Sequence, residues 1–231
     1  LRLEGLDPQH YMQRRNHLPD VSSALVGLPV ATLQRLLKDD GAVAYAGADA
    51  YPASFKAAER AAWRHKERRA VKLGALFALS KHATARDGAD APAIAAVVLD
   101  AVSDSDIKVA AVAAERLGDV RADDAVSVLA GIAGSDVDDA IRAGACAGLG
   151  RVRDEAAAMA LVDVVAGAAP DVVKVAAVAA LHQVGSSWAW SARGDDARGA
   201  QIRAQVVASL SAMPLSGAVD AERQKLVKRW R

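Results

Sequence analysis

A short string of small and apolar residues closing on leucine recurs along the chain. It reads KLGALFAL at Lys72–Leu79, RAGACAGL at Arg142–Leu149, KVAAVAAL at Lys174–Leu181 and RAQVVASL at Arg203–Leu210. Each copy opens with a cation and reaches leucine seven residues later. A looser copy, AAVAAERL at Ala110–Leu117, has its cation two residues early at Lys108 and is followed by Gly118. Leu117, Leu149 and Leu181 are 32 residues apart, room for a helix, a turn, a second helix and a turn. Repeats at such a period signal stacked helix pairs, in which each unit covers its neighbour's apolar face.

The segments between the strings carry helix-start and helix-stop signals. Asp90-Ala91-Pro92 predicts a helix running to about Val102, with proline in the permitted first turn. Asp123-Asp124 predicts one ending near Gly131–Gly134, and Asp154-Glu155 one ending near Gly167. Acidic residues at the start and glycine at the end suit the unpaired backbone groups and the dipole of a helix. Short polar turns separate them, at Ser103–Asp106, Gly134–Asp139 and Ala169–Asp171.

An acidic turn, a cation at the second helix and A-x-x-x-L, often with glycine next, make the repeat signature. It stands at Asp138/Arg142/Ala145/Leu149/Gly150 and at Asp171/Lys174/Ala177/Leu181. This pattern resembles HEAT repeats, in the short form also found in phycobilisome lyases, from about residue 68 to 185 and onward to 231. The resemblance implies an all-α fold, an α-α superhelix or HEAT-like solenoid of antiparallel helix pairs. It implies little about activity, because such repeats serve scaffolds, enzyme subunits and nucleic-acid binders alike.

Both ends depart from the pattern, as the polar ends of a repeat array must. Residues 1–55 hold four of the seven prolines (Pro8, Pro19, Pro29 and Pro52) and are expected to form an irregular N-terminal cap with short helices. Within it, Pro29–Lys38 reads as one amphipathic helix with Leu33, Leu36 and Leu37 on a face. Residues 56–231 are expected to form the repeat array, ending in a basic helix over Asp220–Arg231.

Composition supports helices. Of the 231 residues, 52% are hydrophobic but only 4% aromatic, so the apolar content is mostly Ala, Val and Leu. Alanine favours helix and close helix approach, whereas a β-sandwich draws on aromatic and β-branched residues. Charge is balanced, 29 basic against 28 acidic, and points to neither nucleic acid nor membrane. No run of 18 apolar residues is free of charge, so no membrane span is expected. The single cysteine, Cys146, suits a reducing compartment, and the expected localisation is cytoplasmic. The chain starts at Leu1 rather than Met, as expected of a trimmed piece.

Locally the charge is uneven. Lys56–Lys81 holds eight cations and two anions, a surplus of six positive charges. Lys56, Arg60, Arg64, Arg68 and Lys72 recur every fourth residue, a stripe that winds slowly along a helix over about 24 Å. Ala57, Ala58, Ala61 and Ala62, then Leu73, Leu76 and Phe77, are expected on the buried side. Such a stripe can contact phosphates, with Trp63 stacking on a base. The alternative is a solvated helix face whose cations pair with acidic turns.

A second feature is Gly185–Gly199, which breaks the repeat where a first helix is due. Trp188, Trp190 and Arg193 stand there among Ser and Gly, and exposed Trp and Arg are frequent binding hot spots. The competing expectation is that both rings fill a gap between repeats.

The remaining chemistry is sparse. His10, His17, His65, His82 and His182 show no zinc spacing, and no phosphate-binding or nucleophile motif is present. No catalytic residue, metal or cofactor is therefore expected. His82 and His182 follow repeat leucines and are expected to make polar contacts between repeats, and Cys146 to be a small buried hydrophobe. Asp138 with Arg142, and Asp171 with Lys174, have helix-capping and ion-pair spacing. The leading expectation is a non-catalytic scaffold that binds a protein partner through the curved face of its second helices. Its candidate partner-binding residues are Arg60, Trp63, Arg64, Arg68, Trp188, Trp190 and Arg193. The second reading is nucleic-acid binding through helix 56–72. Its precedent is the HEAT-like DNA glycosylases for alkylated bases, with Trp188, Trp190, Asp195 and Asp196 in their aromatic and acidic role, although these four fall in an expected loop. The third is a subunit of a chromophore lyase or modification enzyme.

Overall fold

The computed structural model describes residues 25–38, 56–84, 90–120, 124–186 and 194–230, and among them the chain is all-α. Ten α-helices run in the order α1 (Val30–Lys38), α2 (Ala57–Thr84), α3 (Ala91–Asp100), α4 (Ile107–Leu117), α5 (Ala125–Gly134), α6 (Asp139–Val152), α7 (Glu155–Ala166), α8 (Asp171–Val184), α9 (Asp196–Ser211) and α10 (Gly217–Trp230). The chain divides into two compact units at Ala101/Val102. Most of the expected N-terminal cap, and Trp188, Trp190 and Arg193, lie outside the described residues.

In the first unit, α1 and α3 both pack on α2. Leu33, Leu36 and Leu37 form the buried face of α1, as their spacing predicts. Helix α2 is buried only over its later turns, where Ala70, Val71, Gly74, Ala75, Leu76 and Leu79 meet its neighbours. One expectation fails here. Ala57, Ala58, Ala61 and Ala62 are exposed. Alanine favours a helix wherever it stands, so an alanine face does not by itself mark burial. His82 does make a polar contact, its Nε2 donating to the carbonyl of Leu28 at 3.0 Å.

In the second unit, α4, α6 and α8 stack side by side in one layer, while α5, α7 and α9 form the other and α10 closes against α8. The acidic turns cap as expected at three places. Asp106 accepts from the Lys108 amide at 3.0 Å, Asp138 from Ala140 at 2.8 Å and Asp154 from Ala157 at 2.7 Å. Arg142 pairs with Asp139, not Asp138, and its Nε donates to the Ala133 carbonyl at the end of α5.

The layer of second helices is held at backbone distance by missing side chains. A Cβ on Gly118 would overlap the carbonyl oxygen of Gly148, and one on Gly144 that of Ala111; on Gly148 it would stand 2.7 Å from the Ala114 oxygen. Between these contacts the repeat positions are fully buried in register: Ala113, Ala145 and Ala177, then Leu149 and Leu181, with Leu117 nearly so. Leu79 and Leu210 are equally buried. Cys146 sits in this core, and burial pushes its thiol up to about 12, an inert hydrophobe as expected.

The fourth copy of the string lies in the other layer. Helix α9, which carries Arg203–Leu210, packs on α7 and so occupies a first-helix place. Arg198 pairs with Glu155 at 2.8 Å and Gln205 reaches Met159, both on α7. The leucine reports burial, which both helices of a pair need; the register reports the layer, and Leu210 follows Leu181 by 29 residues, not 32. Asp196 accordingly starts a helix rather than lying in a loop.

Candidate functional site

The open side of α4, α6 and α8 presents side chains in rows set by the repeat period of 32. Lys108, Ala140 and Val172 form one row, Ala111, Ala143 and Val175 the next, then Glu115, Ala147 and Ala179, then Asp119, Arg151 and Gln183. All twelve are exposed or half-buried. Most of this face is therefore short and apolar, a surface of low relief.

Its one strong polar feature crosses two repeats. Arg151 on α6 reaches back to α4, with Nη1 3.2 Å from Asp119 Oδ1 and Nη2 on Glu115. Arg116 also joins Asp119, at 3.3 Å. Burial works to lower the Arg151 pKa, but the negative charges of Asp119 and Glu115 outweigh it and hold the guanidinium above its ordinary value. None of its residues is among the sequence-predicted site residues; Asp119 and Arg151 stand one repeat period of 32 residues apart.

The expected basic stripe lies on α2 in the first unit. Arg64 and Arg68 are exposed, Arg60 and Trp63 half-buried, and the three arginines line one shallow groove with Ala57, Ala61 and His65. Trp63 is oriented by its own helix: its indole N–H donates to Oε1 of the fully buried Glu67 at 2.9 Å. Glu67 thus leaves the stripe and becomes part of the core. Arg69 and His65 form a further link at 2.8 Å.

At the far end of the second unit, Trp230 closes on α8. Its ring seats over Gly185, where any Cβ would overlap it, and meets the His182 ring edge-on at 6.2 Å. His182 Nδ1 is buried with no hydrogen-bond partner among the described residues. Burial, and after it the charge of Arg229, push this imidazole below its ordinary pKa. The expected polar contact of His182 is thus chiefly an aromatic one. Among the described residues no group of three or more His, Cys, Asp or Glu stands together as a metal site, and no helix is long and apolar enough to cross a membrane.

The repeat period, the paired layers and the glycine contacts meet in one comparison: residues 95–182 match the family of HEAT repeats. This segment is HEAT repeat. No curated protein and no solved structure matches the chain.

Proposed function

We propose that the chain is an interaction scaffold that binds a protein partner on the open face of α4, α6 and α8. The observation that carries this reading is the row pattern of that face. Short side chains at Ala111, Ala140, Ala143, Ala147 and Ala179 let a partner approach closely and bury apolar area around the Glu115–Arg151–Asp119 cluster. Interfaces of this anatomy combine an apolar centre with a fixed polar group. The face is poor in cations, and Arg151 is neutralised by two carboxylates, which disfavours phosphate binding there. The test is capture from a native lysate with wild type and Ala147→Glu. One protein retained by the wild type and lost by the variant, at unchanged melting temperature, supports the reading; equal retention refutes it.

A second reading has its own observation, the arginine groove of α2. Arg60, Arg64 and Arg68 on one groove suit a polyanion, with Trp63 beside them. It is tested by DNA and RNA binding at low and high salt, which must weaken steeply with salt if phosphates are contacted. The tryptophan-bearing segment with Trp188, Trp190 and Arg193 is a further proposed contact of the protein partner.

A further inference from the structure

We infer a second docking surface in the second unit, a groove between the C-terminal ends of α5 and α7 that takes the Arg or Lys side chains of a basic segment in a partner protein. It lies in the layer of first helices, apart from the open face proposed above, and stands or falls separately.

The groove exists because the two layers are built from different side chains. Glycine and alanine bring α4, α6 and α8 to backbone contact. No glycine of α5 makes such a contact, since a Cβ on Gly131 or Gly134 would meet nothing within 4 Å. A space of about 510 Å³ is left between α5 and α7, floored by Ala130, Ala133 and Ala160, with Val164 on the wall. Volume and apolar floor suit the stem of a long side chain, whose charged head must then meet an acceptor.

The acceptors are present. Asp136 and Asp163 both line the groove, and neither side chain makes an ion pair or hydrogen bond among the described residues. Helices α5 and α7 both end here, at Gly134 and Ala166. Terminal carbonyls lack intrahelical donors and carry the negative end of each dipole, which favours a cation. The chain already shows this chemistry within itself, since Arg142 places Nε 3.0 Å from the Ala133 carbonyl at this end of α5. Arg142 adds no free positive charge, because Asp139 holds its Nη1 at 3.3 Å. The groove is thus net negative with an apolar floor, and its complement is a guanidinium or ammonium on an aliphatic stem. Val137, 43% exposed just outside, extends the apolar area for a residue flanking the cation.

The probes are fluorescein-labelled peptides of alternating Ala and Arg, Ala and Lys, or Ala and Glu, followed by anisotropy. Wild type must bind the Arg and Lys peptides and ignore the Glu peptide. The double variant Asp136→Asn, Asp163→Asn must weaken binding at least tenfold, and Ala160→Phe, which fills the floor, must do the same. Asp124→Asn, which removes an exposed carboxylate at the other end of α5, must leave binding within twofold. Melts confirm that every variant is folded. Equal loss in Asp124→Asn, or no peptide binding by the wild type, overturns the inference. A wild-type dimer that dissociates in the double variant also overturns it, by making a second copy the occupant. Ala147→Glu must leave peptide binding intact, which separates this groove from the open face: capture through that face can fail while the groove binds, and the reverse.

Discussion

Replacing Gly144 by alanine is expected to destabilise the protein, although the same change in an open helix stabilises. Glycine in a helix interior costs about 0.5–1 kcal/mol relative to alanine, mostly through the entropy of the unfolded chain. Gly131, midway along α5, has nothing within 4 Å of where an alanine methyl would stand, so Gly131→Ala should gain that amount. At Gly144 the same methyl would overlap the Ala111 carbonyl oxygen and lie 3.0 and 3.2 Å from its carbonyl carbon and Cα. All three atoms are backbone and cannot rotate away, so α4 and α6 must separate. Overpacking of this kind costs about 1–3 kcal/mol. Both substitutions share the propensity gain, so the two variants should differ by about 1–3 kcal/mol, with Gly144→Ala the less stable. Urea melts of wild type and both variants read this difference. If Gly144→Ala gains as much as Gly131→Ala, the close approach of the second helices is wrong.

Leu149→Ala, at a fully buried repeat position, should lose about 2–5 kcal/mol in the same melts, and a loss within error would refute the repeat register. Gly185→Val should displace Trp230 from α8, read as a red shift and faster quenching of tryptophan fluorescence. His182 has a folded pKa below its ordinary 6.5, so the unfolded chain takes up the proton first. Stability from this group is present above about pH 6.5 and lost as pH falls through the lower folded value, and the loss should vanish in His182→Gln. Replacing Arg60, Arg64 and Arg68 together by Glu should leave the melting temperature little changed, because exposed charges contribute about 0–1 kcal/mol each; any DNA or RNA binding should disappear.

The fold was legible because its signals are local and repeated. Caps at Asp106, Asp138 and Asp154 and leucines at a period of 32 place α4 to α8 without tertiary information. Layer assignment was harder. The string on α9 looks like the others, and only its register, 29 residues beyond Leu181, separates it. The surfaces were least legible. Glu67 reads as one more charge in a polar helix, and only the fold shows it buried on Trp63. The Arg151 cluster and the groove at Asp136 and Asp163 join residues from different repeats, so neither shows as a motif along the chain.

The central claim, that a protein partner sits on the open face of the second helices, is tested most directly by a photo-crosslinking residue at Ala147. Irradiation in a native lysate should yield one discrete protein adduct there, absent when the crosslinker stands at exposed Asp124 on the other layer. No adduct at Ala147, together with a nucleic-acid adduct from a crosslinker at Arg64, would contradict the account.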